Sequence, residues 1–276
     1  MPFTLMCVHP HPDDETLACG GVLVKAAAAG HRSVVVTCTG GEEGENLGGI
    51  DLHGRALADV RRDELRNAVA VLNVSAHYWL GYRDSGMDGS PANTHPESFA
   101  VAPVHEAARR LAALIRRERP DVLVSDHEDG TYGHPDHVKA HQVTVWAHQL
   151  AADPDADVDG DVWEVPKRYV HTLSRQRLAT VADGLSRNGL ASPFPDGDVM
   201  LGVDEQRITT RVDVSDVRGV VVDALLCHAS QVGEDSFFFN IPEPYASVLF
   251  DVEEFMLANG PITHDETDLF AGLTPK

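Results

Sequence analysis

The sequence predicts an α/β fold in which a doubly wound, mostly parallel sheet is covered by helices on both faces. Strand-like and helix-like segments alternate over the first half of the chain, as is typical of this class. The run "SVVVTC" at residues 33–38 is rich in β-branched residues, which favours a parallel strand buried on both faces. A glycine pair soon ends this strand. We therefore expect a Rossmann-like sheet with crossover helices.

Each element of the first half has its own signal. The apolar run at 3–8 predicts a buried strand, and the segment after it predicts a helix that ends at a C-cap glycine, Gly30. In chain order the predicted elements are a strand at 3–8, a helix at 16–30, a strand at 33–38, a helix at 57–72, a strand at 77–80, a helix at 104–117 and a strand at 121–126.

The pattern weakens beyond about residue 150. We interpret the acidic run at 153–161 as a surface loop. Further predictions are strands at 163–173 and 207–214, a helix at 217–229 and an aromatic-rich tail at 237–255. We therefore expect residues 1–150 to form the Rossmann-like core, and residues 151–276 to form a small C-terminal extension of the same domain.

The charge balance narrows the classes of partner. The 276 residues include 43 acidic and 22 basic side chains, for a formal net charge of −21, which repels nucleic acids and anionic membranes. No segment approaches the roughly 18 uninterrupted apolar residues of a spanning helix. The four cysteines are too irregularly spaced for a disulfide scaffold. We expect a cytoplasmic protein that acts on a small molecule, without nucleic-acid or membrane partners; the sequence leaves a homo-oligomer open.

Two short motifs place histidine, proline and aspartate in a row after predicted strands. They are "HPDDE" at 11–15 and "GHPDHV" at 133–138. In open α/β sheets, ligands bind beyond the carboxyl ends of the strands, so polar residues there are candidates for function. Helix capping also explains acids at a helix start. Two matching motifs, however, favour one shared site.

The spacing within the motifs predicts metal ligands. His11 and Asp14 are three residues apart and share a face at a helix start, and His137 can complete the set from the second motif. Two nitrogens and one carboxylate with an open position suit catalytic Zn²⁺. Fe²⁺ prefers a similar set, so the ligand types leave both metals open.

Hydrolysis at such a metal also requires a base and a group that stabilises the oxyanion. Asp13, next to Asp14, is the predicted base. We predict that His134 acts as an electrostatic stabiliser or general acid, and that Tyr132 donates to the same oxyanion. The alternative to an enzyme is a catalytically silent, metal-stabilised binding protein. Asp13 argues against it, because a structural zinc site fills all four positions with ligands.

Three other kinds of site have little support. The turn after the first strand contains no GxGxxG, and the chain contains no GxSxG nucleophile motif. The run "DADVDG" at 155–160 imitates the beginning of a calcium loop, but Pro166 stands at the twelfth position, where glutamate is required.

The two motifs resemble the paired hallmark of the LmbE-like or PIG-L family of zinc-dependent N-acetylglucosaminyl deacetylases and amidases. Within that family, the chain is most similar to the mycothiol-pathway deacetylase and the mycothiol S-conjugate amidase. The likeness covers most of the chain: "VVVTCTGGEEGE" at 34–45, "VRRDEL" at 60–65, "RDSGM" at 83–87, "TYGHPDHV" at 131–138 and "HASQ" at 228–231. The resemblance implies the same metal ligands, the same base and the same role for His134.

The resemblance also implies substrate contacts. Arg61 and Asp84 match positions that contact the sugar or inositol, and Glu45 lies in the matching loop. The chain departs from its relatives at "VHPHPDDE", where alanine usually precedes the motif histidine. His9 lies two residues before His11 and points to the other face if the strand continues, so we expect it to be buried and not a ligand.

The exact substrate stays open at this point. The "HGR" and "VRRDE" segments favour the amidase, "GEEGE" favours the deacetylase, and a specialised-metabolite deacetylase is equally compatible. The C-terminal third matches least, so we expect its loops to shape the substrate site. The predicted function is a zinc-dependent amide hydrolase that removes an acyl group from a glucosamine-type nitrogen, for example in N-acetylglucosaminyl-inositol.

Overall fold

A seven-stranded sheet organises the chain in the computed structural model, which describes residues 2–190, 201–233, 236–263 and 266–274. The strands are β1 (Thr4–His9), β2 (Arg32–Thr39), β3 (Ala76–Tyr82), β4 (Val122–Ser125), β5 (Lys167–Thr172), β6 (Thr210–Asp213) and β7 (Val252–Asn259). Their order is β3-β2-β1-β4-β5-β7-β6. Strands β1 to β5 pair in parallel, whereas β7 is antiparallel to both neighbours.

Helices cover both faces of this sheet. Leu5 and Cys7 of β1 pack towards α1, α2 and α7, whereas Met6 and Val8 pack towards α3 and α5, as the alternation of side chains along a strand requires. The helices are α1 (Asp14–Ala28), α2 (Leu57–Val71), α3 (Val104–Glu118), α4 (Gly130–Gly133), α5 (Pro135–Ala152), α6 (Arg175–Arg187), α7 (Arg218–Leu226), α8 (Phe237–Asn240) and α9 (Tyr245–Phe250).

The predicted fold class is confirmed, with shifts at several boundaries. Helix α1 begins at Asp14, two residues before its predicted start, because acidic side chains occupy its first turn. Strand β5 begins after Pro166, later than predicted. The segment 207–214 contains the shorter strand β6, and α7 ends at Leu226.

The C-terminal region required the largest correction. The segment 237–255, expected only as an aromatic-rich tail, contains α8, α9 and the start of β7, and helix α6 was not predicted. Strand β7 escaped prediction because Glu253 and Glu254 interrupt its apolar pattern. Both are buried with partners: Glu253 accepts from the N–H groups of Gly21 and Val22, and Glu254 lies 3.2 Å from Arg177.

A buried ion pair ties the end of the chain to the sheet. Lys167 Nζ lies 2.7 Å from Glu266 Oε1, and both side chains are fully buried. The other Glu266 oxygen accepts from Tyr169 Oη at 2.5 Å and from Thr210 Oγ1 at 3.0 Å. We refer to these four residues as the Lys167–Glu266 cluster.

The structure also describes the two features that bear on membrane and disulfide chemistry, the helices and the cysteines. Among the described residues, no helix is long and apolar enough to cross a membrane. Cys7, Cys19, Cys38 and Cys227 are all free, and the first three are buried.

Candidate metal centre and active site

The first motif occupies the turn between β1 and α1, at the carboxyl edge of the sheet. The N–H of His11 donates to Asp14 Oδ2 at 2.8 Å, which fixes the carboxylate against the turn. The His11 Nδ1 and Asp14 Oδ2 atoms are 3.4 Å apart. The turn therefore holds an imidazole and a carboxylate face to face.

The second motif brings His137 to the same place from the first turn of α5. Its Nε2 atom lies 3.6 Å from Asp14 Oδ1, and its Nδ1 atom lies 3.2 Å from Oδ1 of Asp126, directly after β4. A carboxylate in this position orients a metal-ligating imidazole from behind.

The donor atoms of His11, Asp14 and His137 lie within 4.8 Å of one another. We refer to these three residues as the metal centre. Burial lowers the pKa values of both histidines, but neighbouring carboxylates outweigh it and raise them. Burial raises the pKa of Asp14, but the imidazoles of His137 and His11 outweigh it and hold this pKa below its usual range. Two nitrogens and a charged carboxylate in this arrangement fit one divalent cation.

A second set of donors shares His11. The donor atoms of His11, Asp84 and His134 also lie within 4.8 Å of one another. Asp84 Oδ1 is 3.5 Å from His11 Nε2, and Asp136 Oδ2 is 3.3 Å from the same nitrogen. The buried Asp84 carboxylate is fixed by the Gly86 N–H at 2.8 Å. Asp84 thus lies against a histidine of the metal centre.

Asp13 lies beside the metal centre in a strained conformation. Its φ of 116° falls in a region that residues other than glycine rarely adopt. Its N–H donates to Glu15 Oε2 at 2.9 Å, and Glu15 Oε1 lies 2.8 Å from His228 Nε2. Arg61 Nη2 is 3.3 Å from Asp13 Oδ2. Burial raises the pKa of Asp13 to about 6, against the lowering effect of Arg61. A carboxyl in this range suits general base catalysis near neutral pH.

His134 caps helix α5 and faces His11. Its Nδ1 atom accepts from the Asp136 N–H at 3.1 Å, so the proton of the neutral ring is on Nε2. The His134 and His11 ring centroids are 4.7 Å apart. Burial and then the positive charge of His11 lower the pKa of His134 to about 4. The ring is therefore able to donate a hydrogen bond from Nε2 while it is neutral.

Tyr132 lies in the short α4 turn, where Thr131 has a φ of 65°. Its Oη atom is 3.2 Å from His137 Nε2, and its side chain is 45% exposed. The hydroxyl therefore faces the metal centre while the ring contacts solvent.

The two remaining predicted substrate contacts differ in burial. Arg61 is buried and donates to the carbonyls of Pro12 at 2.7 Å and Gly41 at 3.1 Å. Its Nε atom has no hydrogen-bond partner among the residues that the structure describes. Glu45 has an exposed side chain, and its carbonyl accepts from Gln231. The fold thus brings every predicted site residue except Glu45 around the metal centre.

Sequence reasoning missed four buried residues around these groups. Asp126 ends a predicted strand, so its position at the carboxyl edge was a usable signal. Asp136 stands within the second motif, but its fully buried carboxylate contacts His11, beyond a helix-start role. Glu15 and His228 are 213 residues apart, and only folding brings them together.

His9 lies outside the metal centre. It is fully buried, and its donor atom lies within 4.8 Å of those of Cys7 and Cys19, in a separate group. Neither of its ring nitrogens has a hydrogen-bond partner in the described part of the chain.

The surroundings of both motifs match a known family. The profile described as "PIG-L: GlcNAc-PI de-N-acetylase" matches residues 6–148. The chain belongs to the PIG-L family. It is 40% identical to a 1D-myo-inositol 2-acetamido-2-deoxy-alpha-D-glucopyranoside deacetylase 1 of Frankia alni, over 97% of this chain and 100% of that protein. It is also 40% identical to a 1D-myo-inositol 2-acetamido-2-deoxy-alpha-D-glucopyranoside deacetylase of Thermobifida fusca, over 97% of this chain and 98% of that protein.

The solved structures agree on the fold. A conserved protein from Thermus thermophilus is similar with a TM-score of 0.60 at 22% identity, over 94% of this chain and 96% of that one. The family and its relatives confirm the predicted enzyme class: this PIG-L protein is a deacetylase, a hydrolase of amide bonds.

Proposed function

We propose that this PIG-L enzyme removes the acetyl group from the glucosamine nitrogen of N-acetylglucosaminyl-inositol and uses Zn²⁺ as its metal. The observation that carries the proposal is the buried set of His11, Asp14 and His137 with the Asp13 carboxylate beside it. The printed names of the Frankia and Thermobifida relatives support this substrate.

The metal centre would supply Lewis acidity, which polarises the amide carbonyl and acidifies water. The protein residues have separate tasks in this proposal. Asp13 accepts a proton from the attacking water, and its strained backbone is held by Glu15 and His228. His134 donates from Nε2 to the developing oxyanion, and Tyr132 donates from Oη to the same oxygen.

Substrate recognition is proposed for the residues around this centre. We propose that the Arg61 guanidinium, which contacts Asp13 Oδ2 at 3.3 Å, binds a sugar hydroxyl. Asp84 offers a carboxylate next to His11, and Glu45 offers one at the surface. We propose that residues 1–150 form the catalytic core and that loops of residues 151–276 shape the substrate site. The free cysteines support a reducing, cytoplasmic location.

The decisive experiment measures amine release from three substrates in parallel. These are N-acetylglucosaminyl-inositol, a mycothiol S-conjugate and N-acetylglucosamine, each assayed with Zn²⁺, with Fe²⁺ and with a chelator. We expect the highest kcat/KM for N-acetylglucosaminyl-inositol, and loss of activity after chelation that added Zn²⁺ restores.

Each other outcome corrects a defined part of the proposal. Preference for the S-conjugate would make the enzyme an amidase of the mycothiol type. Rescue by Fe²⁺ alone would replace the proposed metal. Activity that survives thorough chelation would overturn the metal mechanism. The absence of amine release from all three compounds would overturn the proposed glucosamine-type substrate.

A further inference from the structure

A polar cavity lies close to Asp126, the residue that follows β4. Its volume is about 370 Å³, and none of its lining residues belongs to the metal centre. The polar lining comes from His127, which directly follows Asp126, from Glu128, from His141 of α5, and from Arg168 and Arg207. The apolar lining comes from the sheet and includes Val170, Met256 and Leu257.

Arg168 is the unusual residue in this cavity. Among the arginines, all of which fall within the described ranges, it alone has a side chain with neither an ion pair nor a hydrogen bond to a described residue. Burial alone lowers its pKa, with no contribution from a carboxylate. The chain has 43 acidic residues for 22 basic ones, so partners are abundant. A half-buried arginine without one is costly unless something else supplies the negative charge.

Buried arginines elsewhere show what Arg168 lacks. Arg177 has Glu254 and three backbone carbonyls as partners, and Arg116 donates to the carbonyls around Asp153 and Val158. Both guanidinium groups are therefore held by several partners within the protein. Arg168 instead lines a cavity, and its side chain has no carboxylate or carbonyl partner among the described residues.

The histidines of the cavity add a second unsatisfied feature. His127 is only 5% exposed, and its Nδ1 atom lies 2.7 Å from Asp129 Oδ1. Its Nε2 atom is buried without a partner in the described residues. His141 directs Nδ1 at the Asp126 carbonyl, 2.9 Å away. The Asp129 N–H donates to His127 Nδ1 at 3.4 Å, so Asp129 fixes this ring beside the cavity.

We propose that this cavity binds a small organic oxyanion, a phosphate ester or a carboxylate, between Arg168 and Arg207, with its apolar part against Val170, Met256 and Leu257. Guanidinium groups bind both kinds of anion through paired hydrogen bonds. Arg207 is free to contribute, because its ion-pair partner Glu128 is 3.9 Å away and both side chains are largely exposed. The site is separate from the proposed deacetylation and does not depend on it.

The test is calorimetric titration of the zinc-loaded enzyme with inorganic phosphate, phenyl phosphate and benzoate. We expect phenyl phosphate or benzoate to bind more tightly than inorganic phosphate, because only they reach the apolar lining. The preferred head group distinguishes the two kinds of anion. Arg168→Gln should weaken the preferred probe by about tenfold or more, the loss expected for charge-assisted hydrogen bonds. Turnover should not change.

The matched control is Arg187→Gln, which removes the same charge from an exposed helical position that, within the described part of the chain, is paired with Asp183 at 3.8 Å. It should bind the probes like the unmodified enzyme. If Arg168→Gln fails to fold, Arg207→Gln provides the same comparison at an exposed residue. Equal affinity of the cavity variant and the Arg187→Gln control, or no binding of any probe to the unmodified enzyme, would overturn the site.

Discussion

The Lys167–Glu266 cluster and the metal centre both bury charged side chains, but only the first is balanced. Lys167 faces one carboxylate, and the remaining oxygen of Glu266 is satisfied by Tyr169 and Thr210. Each polar group of the cluster therefore has a partner within the protein.

The surroundings of the metal centre contain an excess of carboxylates. Asp14, Asp84, Asp126 and Asp136 all lie within 3.6 Å of a histidine nitrogen, and Asp13 is adjacent. The permanent cation in direct contact with this group is Arg61, which also serves two carbonyls. Negative charge that the protein leaves uncompensated favours a bound cation at the expense of stability without it.

Because of this difference in charge balance, buried charged residues stabilise the fold in the Lys167–Glu266 cluster but serve catalysis or metal binding around the metal centre. In a balanced cluster, removal of one partner leaves the other buried and uncompensated, so folding is affected. Around the metal centre, removal of one carboxylate relieves repulsion, so catalysis or metal binding is affected instead.

Asp13→Asn is expected to have the largest effect on turnover. The amide cannot accept the proton of water, and loss of a general base lowers kcat by roughly 10²- to 10⁴-fold. Metal content by elemental analysis should stay at the level of the unmodified enzyme, because His11, Asp14 and His137 are unchanged. Normal turnover by this variant would remove Asp13 from the base role.

Glu266→Gln is expected to have the largest effect on stability. The variant leaves Lys167 charged and buried without its partner, which costs roughly 3–5 kcal/mol of unfolding free energy in urea titrations. Turnover of the fraction that remains folded should be unchanged. An unaltered unfolding midpoint would show that the cluster does not hold the end of the chain.

The pH dependence of stability gives an independent check on the same residue. Burial raises the pKa of Glu266, but hydrogen bonds from Lys167 and Tyr169 outweigh it and lower the pKa to about 2. Because the folded pKa is depressed, the contribution is complete above the ordinary value of 4.5 and is lost as the pH falls towards 2. Glu266→Gln should lack this part of the acid-induced loss.

His137→Ala tests whether the excess of negative charge serves a cation. With free Zn²⁺ at about 100 times Kd, binding stabilises a folded protein by about 2.7 kcal/mol. We expect thermal melts of the unmodified enzyme to show this gain, and His137→Ala to lose both the gain and the bound metal. Undiminished metal content in the variant would show that the ligand set is wrong.

The fold was predictable where burial and apolar character coincide. Strands β1, β2 and β4 are apolar and buried, and the sequence predicts all three. Strand β7 and helix α6 were missed because both contain buried charged side chains: Glu254 of β7 pairs with Arg177 of α6, and Glu253 of β7 accepts from α1. In a sequence, a charged side chain predicts an exposed position. Such a side chain is buried only where a partner from another element binds it, and the sequence does not show that partner.

The candidate site shows the same division. Three-residue spacing after predicted strands was enough to indicate His11, Asp14 and His137 as neighbours. The support for Asp13 from Glu15 and His228 was not predictable, because it joins distant parts of the chain. Local spacing therefore predicts the groups that share a turn, whereas the groups that orient them depend on packing between elements.

Tyr132→Phe is expected to have the smallest effect, and it tests whether the Tyr132 hydroxyl stabilises the oxyanion beside the metal centre. The hydroxyl lies 3.2 Å from His137 Nε2, but its side chain is 45% exposed, so water can replace part of its hydrogen bonding. One such hydrogen bond contributes about 1 kcal/mol, or roughly a fivefold decrease in kcat with little change in metal content. Tyr78→Phe is the matched control, because it removes a hydroxyl that bonds Glu118 away from the centre. Equal kcat values for the two variants would exclude Tyr132 from oxyanion stabilisation, whereas a loss of metal in Tyr132→Phe would make it a positioning residue for His137.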